Sequence, residues 1–576
     1  MDPIARTLEH ERIANESKHW VRLVAACNSR CLFCLDSEAQ DGKILAFEDV
    51  CREIRRGREE KDATRVVLSG GEASLHPRFA DLIRYSREQG YTWVQTVTNG
   101  RRYADRGYFN KVVEAGLSEI TFSIHGHTAA LHDHLTQAPG SFDQIVKAMI
   151  RAVRDGRVVV NADVVINKQN VDVLEKIVAL CAQIGVREYD LLHVIPQGEA
   201  WEHREQLFYD VDAYSESLRR VFRLGLNPRF HVWTNRFPVS HLEGMEELIQ
   251  DPHKMLDEVG GRRMQFRRYL DAAEPIDCRH TERCPHCFIE PFCSALDRRV
   301  QDLRDGNVGI WWIGSRWELA ALHPEASLLG VELPAGAALP HFGRPLYLKA
   351  EDYTGLHLPP SSVAVATTPA HLEQLEGLPC DVEIPLDRSM CAALLSDPER
   401  LRRNAERYIL HGKTWLRMEE SAANSPDYRA FFAALPLPMR TRNLPACLCA
   451  DMRLERAPRR LDQHILHDDG RLAIDPIVEE YIESEYKAKS QRCKGCLVAD
   501  RCEGMQLQYL RHAGFKVLQP LTGAWADRAA ARLRELQPQP RRGLAQGAPP
   551  QAPVAQVPVP GNRPVPEIDV VPGRRS

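Results

Sequence analysis

Twelve of the sixteen cysteines in this 576-residue chain fall into three tight groups, and that grouping constrains the chain more than any other feature. Cys27, Cys31 and Cys34 form the first group. Cys278, Cys284, Cys287 and Cys293 form the second, and Cys447, Cys449, Cys493, Cys496 and Cys502 the third. Disulfides staple small secreted domains that cannot build a core, and a chain of this length has no such need. Its first twenty residues, MDPIARTLEHERIANESKHW, contain no apolar signal segment, and no run of eighteen apolar residues follows. The expectation is therefore a cytoplasmic protein with no membrane partner, whose grouped thiols serve metal or redox chemistry. With 75 basic and 79 acidic residues, its net charge of −4 advertises no nucleic-acid partner.

The second constraint is an alternation of strand-like and helix-like stretches from Val21 to about Gln197. HWVRLVAA, TRVVLSGG, YTWVQTVTNG, EITFSIHG, VVVNADVVI and YDLLHVIPQG read as strands, with amphipathic helical runs between them. Six βα units predict a parallel sheet of the α/β class, a partial (β/α)6 TIM-like barrel with ligand loops at the carboxyl ends of its strands. The quoted motifs all lie at such ends.

CNSRCLFC follows the first strand directly. Three thiolates at this spacing can wrap a 4Fe–4S cube and leave one iron open, because the cube takes four ligands. Structural zinc would want a fourth ligand nearby, and the next cysteine, Cys51, lies in a helical pattern. Cys51 and Cys181 read as small buried hydrophobes, and Cys380 and Cys391 carry no assigned role.

CNSRCLFC, with Phe33 before its last cysteine, followed by LSGGEASLHP, closely resembles the radical S-adenosylmethionine (SAM) superfamily over roughly Val21 to Gln197. The resemblance implies that Cys27, Cys31 and Cys34 hold the catalytic cluster, whose open iron is chelated by the methionyl amino and carboxylate groups of SAM. It places Gly70, Gly71 and Glu72 at the SAM ammonium, where glycines permit close backbone approach and a carboxylate accepts hydrogen bonds. It also maps Asn99, Ser123, Val165 and Ile195 onto the cofactor rim, positions for which ordinary strand or turn roles stay open. The implied chemistry is reductive cleavage of SAM to a 5′-deoxyadenosyl radical that abstracts hydrogen from a substrate, with electrons from a low-potential donor such as ferredoxin or flavodoxin. His125, His127, His132 and His134 in HGHTAALHDH invite a metal reading, but no second metal is needed there and a structural reading is preferred.

The second and third groups both contain C-x2-C-x5-C, offset by 209 residues. The second group has four thiolates, enough to saturate one cluster. The third has three, plus one or both of Cys447 and Cys449. Zinc remains the rival for both. In outline the region resembles the SPASM/twitch extension of radical SAM enzymes, which implies one or two auxiliary 4Fe–4S clusters. It departs from that pattern where Leu296, Asp297 and Leu507 stand in place of a further cysteine.

The expected organisation is an N-terminal extension (1–20), a radical SAM partial barrel (21–235), and a linker with the first auxiliary group (236–299). A small α/β insert (300–440), the second auxiliary region (441–536) and a disordered proline-rich tail (537–576) follow. Trp311, Trp312 and Trp317 read as core residues of the insert rather than a substrate cleft. By analogy with auxiliary-cluster enzymes the substrate is expected to be a peptide or protein undergoing maturation, bound without a separate N-terminal leader domain. The alternatives are a small molecule (a cofactor precursor, sugar or nucleoside) and a non-catalytic iron–sulfur or zinc scaffold.

Overall fold

The computed structural model describes Leu8 and residues 18–37, 41–305, 308–321, 326–359, 361–467 and 471–523. The 537–576 tail and most of the 1–20 extension lie outside the described residues. The chain divides into two compact units, one of residues 1–251 with 278–290 and the other of residues 252–277 with 291–576.

The first unit contains seven parallel strands paired in chain order: β1 (Lys18–Val24), β2 (Arg65–Gly70), β3 (Trp93–Thr98), β4 (Glu119–Ser123), β5 (Val159–Ile166), β6 (Glu188–His193) and β7 (His231–Asn235). Parallel neighbours require crossovers, and helices supply them. They are α1 (Phe47–Lys61), α2 (Phe79–Glu88), α3 (Arg106–Glu114), α4 (Ala129–Thr136), α5 (Ser141–Asp155) and α6 (Leu174–Ile184). On α5 the buried residues Ile145, Ala148, Met149 and Ala152 recur at helical spacing and make one apolar stripe. Burying Ile145 or Met149 contributes about 1.5–3 kcal/mol each.

The sheet is a curled half-barrel whose two faces differ. One face carries the buried side chains of Val66, Leu68, Val94, Ile120, Phe122, Ala162, Val164, Tyr189 and Leu191. The other places Arg65 beside Trp93, Gln95 beside Glu119, and Ser123, Asp163 and Asp190 in one row. Polar residues on alternate positions of a parallel strand thus mark the inner wall of the curl. β7 adds a strand beyond the six that the alternation predicts. Its five residues, HVWTN, follow the short amphipathic helix Ser215–Phe222, which buries Leu218, Val221 and Phe222.

The second unit has a larger sheet than the expected small insert. Its strands are β8 (Ile310–Gly314), β9 (Leu328–Leu333), β10 (Leu346–Ala350), β11 (Val363–Val365), β12 (Asp381–Leu386), β13 (Tyr408–Gly412), β14 (Arg440–Arg442), β15 (Arg453–Leu454) and β16 (Arg460–Asp462). All pair in parallel, in the order β15-β14-β13-β12-β11-β10-β9-β8-β16. The 300–440 segment therefore supplies six complete strands to a nine-stranded sheet that also takes in β15 and β16.

That sheet cannot be flat. Nine strands at the usual spacing would hold the edge strands about 38 Å apart. Leu454 and Arg460, on opposite edges, are six residues apart in sequence, and six residues span at most about 21 Å. The sheet must curl until its edges are neighbours. Its apolar face (Val331, Leu348, Ala364, Ile384, Leu410) is fully buried. Trp311 and Trp312 are buried at 4% and 9% exposure, and the Trp312 ring packs edge-on against Tyr347 at 6.2 Å, so the core reading of this pair holds. The polar face joins Tyr347, Glu383 and Arg442. Tyr347 donates to Glu383 Oε1 at 2.6 Å, and Arg442 donates to Oε2 at 3.0 Å.

Candidate active site

β1 ends at Val24, and the chain turns into the loop bearing Cys27, Cys31 and Cys34. Backbone hydrogen bonds fix this loop on several sides. Arg30 N–H donates to Thr136 O at 2.9 Å and Leu32 N–H to Leu135 O at 2.9 Å, tying it to the end of α4. Glu199 N–H donates to Cys34 O at 2.9 Å. The Asn99 side-chain amide donates to Asn28 Oδ1 at 2.6 Å and to Ser29 Oγ at 3.3 Å, while Arg101 donates to Asn28 O. Asn99 thus lies at the cysteine loop, at the carboxyl end of β3.

None of the three thiols is in a disulfide, and each is half-buried. Burial is the largest cause raising the pKa of each. For Cys31 the neighbouring Cys27 and Cys34 push it further up, and for Cys27 the charges of Glu72 and Cys34 do so. Without a cation these thiols keep their protons at neutral pH. A bound metal group reverses that preference, because thiolates become its ligands. The donor set therefore fits an iron–sulfur group. Among the described residues no three His, Cys, Asp or Glu side chains converge closely enough to share a single metal ion.

Gly70 and Gly71 are required by the neighbouring strand. Gly70 has φ +135°, and a Cβ there would sit 2.3 Å from Val24 O. A Cβ on Gly71 would sit 2.3 Å from Ala26 O. The glycine pair lets the ends of β1 and β2 pack together just before the cysteine loop. Glu72, only 1% exposed, has most of its acceptor capacity engaged within the protein. Oε1 accepts from Ser74 N–H at 3.1 Å and from Thr98 Oγ at 2.8 Å, and Oε2 accepts from Asn99 N–H at 2.8 Å. A carboxylate offers about four acceptor sites, so one remains for a ligand.

Phe33 is buried and its ring meets His125 edge-on at 4.4 Å. His125 Nδ1 accepts from Val165 N–H at 3.2 Å, and His132 Nδ1 accepts from His125 N–H at 3.2 Å. The two imidazoles stack at 6.0 Å, each no more than 2% exposed, so both are structural. His127 is half-buried and His134 exposed, and the four do not gather round a point. Val165 is half-buried, Ile195 is buried at the β6 end, and Ser123 Oγ lies 3.4 Å from Asp163 Oδ2.

Two residues near this site escaped the sequence reading. Asp163 faces the inner wall, where burial and the Asp190 charge push its pKa up to about 8 against the pull of Arg236. Gly198, at φ +53°, brings its backbone so close that a Cβ would lie 2.3 Å from Cys34 O. PQG after a strand signalled a turn there, but not its partner.

In the second group Cys287 N–H donates to Cys284 O at 3.0 Å, and Cys284 Sγ donates to Cys278 O at 3.3 Å. Cys293 lies on α7 (Glu290–Arg304). In the third group Cys447, Cys493, Cys496 and Cys502 line one cavity of about 20 Å³, closed by Leu518 and Leu521. Backbone N–H groups of Gly504 and Leu521 donate to Cys502 and Cys496 Sγ, each at 3.3 Å. Cys449 lies outside that cavity, its thiol donating to Pro445 O at 3.5 Å, so the structure separates it from Cys447. Burial, followed by the charges of Cys502 and Cys493, pushes Cys447 up to about 11. All three C-x2-C turns share one hydrogen bond, from the second cysteine's N–H to the first one's carbonyl, at 3.0–3.1 Å.

Residues 21–181 match the family model of the radical SAM superfamily. A probable GTP 3′,8-cyclase of Saccharolobus islandicus (strain Y.N.15.51 / Yellowstone #2) is 27% identical over 237 residues, 40% of this chain and 73% of the relative. The one from Saccharolobus solfataricus is 29% identical over 229 residues, 39% of this chain and 70% of the relative. Among solved structures, Streptococcus suis SuiB bound to the precursor peptide SuiA matches at a TM-score of 0.34 and 14% identity, over 43% of this chain. Native anSMEcpe with bound AdoMet and Cp18Cys peptide matches at 0.31 and 15%, over 37% of this chain and 62% of its own. The chain spans about half the length of SuiB, 55%, and the resemblance to both structures is slight. Among the described residues no helix is long and apolar enough to cross a membrane. Over residues 21–181, from β1 into α6, the chain therefore carries a radical SAM domain, the domain of a superfamily of enzymes that use SAM and a 4Fe–4S cluster.

Proposed function

We propose that Cys27, Cys31 and Cys34 hold the 4Fe–4S cluster, and that the chain cleaves SAM reductively and abstracts hydrogen from a substrate. The observation that carries this reading is the set of three half-buried thiols, none in a disulfide, on a loop pinned beside Glu72 and Asn99. Three thiolates at this spacing can each bind a separate iron of a cube and leave the fourth iron open, whereas zinc would want a fourth ligand nearby. When bound, the cluster supplies the electron that breaks the sulfonium bond. The protein's part is positional. Glu72 keeps a lone-pair site for the ammonium, the Asn99 amide orients the cysteine loop, and Phe33, His125 and Val165 brace the loop against β4 and β5. Ser123 and Ile195 complete the rim at the ends of β4 and β6. A low-potential donor such as ferredoxin or flavodoxin supplies the electron.

For the substrate, the cysteine groups beyond the first sheet support a peptide or protein maturase. Cys278, Cys284, Cys287 and Cys293 would hold one auxiliary cluster. Cys447, Cys493, Cys496 and Cys502 would hold the other. The second reading, a small molecule, is favoured by the curated relatives, whose names specify GTP cyclisation. Anaerobically reconstituted protein with a strong reductant should release 5′-deoxyadenosine, and the triple Cys27/Cys31/Cys34→Ala variant should not. Iron should fall from roughly twelve to roughly eight per chain in that variant. SAM cleavage surviving the triple change would overturn the assignment. Mass spectrometry of co-expressed candidate peptides separates the substrates: a loss of two mass units supports the peptide reading, and unchanged peptides favour the small molecule.

A further inference from the structure

The seam of the second unit's curled sheet encloses a cavity of about 510 Å³. Its wall includes Leu454 of β15 and Arg460 and Leu461 of β16, the two edges that the five-residue 455–459 connection draws together, and the helix α7 closes another side. A volume of this size accommodates a ligand as large as a nucleotide.

Its charge is lopsided. Seven basic residues line the cavity against four acidic ones, and six of the seven are arginines. Several pair with the acids and set the frame. Arg299, mostly buried, is clasped by Glu480 at 3.0 Å and Glu485 at 2.8 Å, Arg459 meets Asp302, and Lys487 meets Glu503 at 2.6 Å. The pKa of Glu503 is held down chiefly by Lys487, with Arg298 and Arg456 adding to the pull, so these cations act on one shared space. Arg298, Arg460 and Arg501 pair with Glu485, Asp462 and Asp500 at 3.4, 2.5 and 3.7 Å, the last two acids lying outside the lining.

Arginine rather than lysine is the residue that grips phosphate through paired N–H donors, because its guanidinium is planar, always charged and weakly hydrated. The lining is rich in arginine, concave and of nucleotide volume, and guanidinium groups held by single carboxylates keep further N–H donors for a ligand. Cys502 and Gly504 form part of the same wall, so a ligand here would lie against the third cysteine group.

We propose that this cavity binds a phosphorylated small molecule of about nucleotide size, through Arg298, Arg456, Arg459, Arg460 and Arg501, beside Cys502. The proposal does not depend on the SAM assignment, since every residue it uses belongs to the second unit.

Isothermal titration of the full-length reconstituted protein with ATP, GTP, inorganic triphosphate and citrate tests it. At least one phosphate probe should bind at micromolar to sub-millimolar concentration and weaken as salt rises. The double variant Arg456→Glu/Arg501→Glu changes two exposed side chains and should weaken that binding at least tenfold, with an unchanged melting temperature as the fold control. Arg456→Lys/Arg501→Lys, which keeps the charge and removes the fork, should give an intermediate loss. Binding should persist in the triple Cys27/Cys31/Cys34→Ala variant, whatever becomes of SAM cleavage. Absence of binding for every phosphate probe, citrate binding as tightly as triphosphate, indifference to the arginine changes, or loss of binding in the triple cysteine variant would each overturn the proposal.

Discussion

The Asn99 backbone N–H donates to Glu72 Oε2 at 2.8 Å and so ties the end of β2 to the end of β3 directly beneath the cysteine loop. Thr98 Oγ and Ser74 N–H hold the other carboxylate oxygen. Replacing Glu72 by Gln sets an amide N–H₂ against one of these donors and leaves a buried donor unsatisfied. The expected cost is about 1–3 kcal/mol of stability together with weakened SAM binding. Thr98→Val removes only one donor and should cost about 1 kcal/mol. Chemical denaturation and SAM titration of both variants check this. Equal losses in the two variants would show that Oε2 has no special place.

Gly198 offers a test of how rigidly the cysteine loop must be held. At φ +53° a side chain is strained, and the Cβ of Gly198→Ala would press on Cys34 O and Leu35 O at 2.3 and 2.9 Å. The loop must then move or the β6-end turn must open, at a cost of about 1–3 kcal/mol. Because the strain falls on Cys34, this variant should lose iron from the first cysteine group ahead of global unfolding. Iron content measured alongside thermal melting distinguishes the two. Full iron retention with an unchanged melting temperature would show that the turn tolerates a side chain.

The first sheet was legible because each of its six predicted strands pairs a β-rich run with a helix and ends in a motif. The cysteine spacing and the Gly70–Glu72 motif were legible for the same local reason. What was hidden is non-local. The β1 carbonyls that make Gly70 and Gly71 obligatory belong to Val24 and Ala26, more than forty residues away in sequence. Gly198 lies more than 160 residues from Cys34. The α/β character of the 300–440 segment was legible, but the extent of its sheet was not, because some strands are as short as two or three residues and only their pairing joins β15 and β16 to it. Similarly, the choice between Cys447 and Cys449 depends on which one faces Cys493, Cys496 and Cys502, and spacing alone does not contain that.

The stacked pair His125 and His132 makes the first site sensitive to acid. Burial lowers the pKa of His132 to about 4 against the pull of Asp133, and burial, with His132 adding, puts His125 well below its usual value. In the unfolded chain both titrate near 6.5, so between that pH and about 4 the unfolded state binds more protons and stability falls as pH falls. For His132 alone the loss is on the order of 3 kcal/mol by pH 4. His132 Nδ1 accepts from His125 N–H, and His125 in turn braces Phe33 and Val165, so protonation should loosen the cysteine loop before the rest of the sheet. His132→Asn keeps a side-chain acceptor near that N–H but does not titrate. Between pH 6.5 and 4 its melting temperature should fall less steeply than that of the parent protein, even if its stability at neutral pH is lower. Parallel slopes would show that the acid sensitivity arises elsewhere.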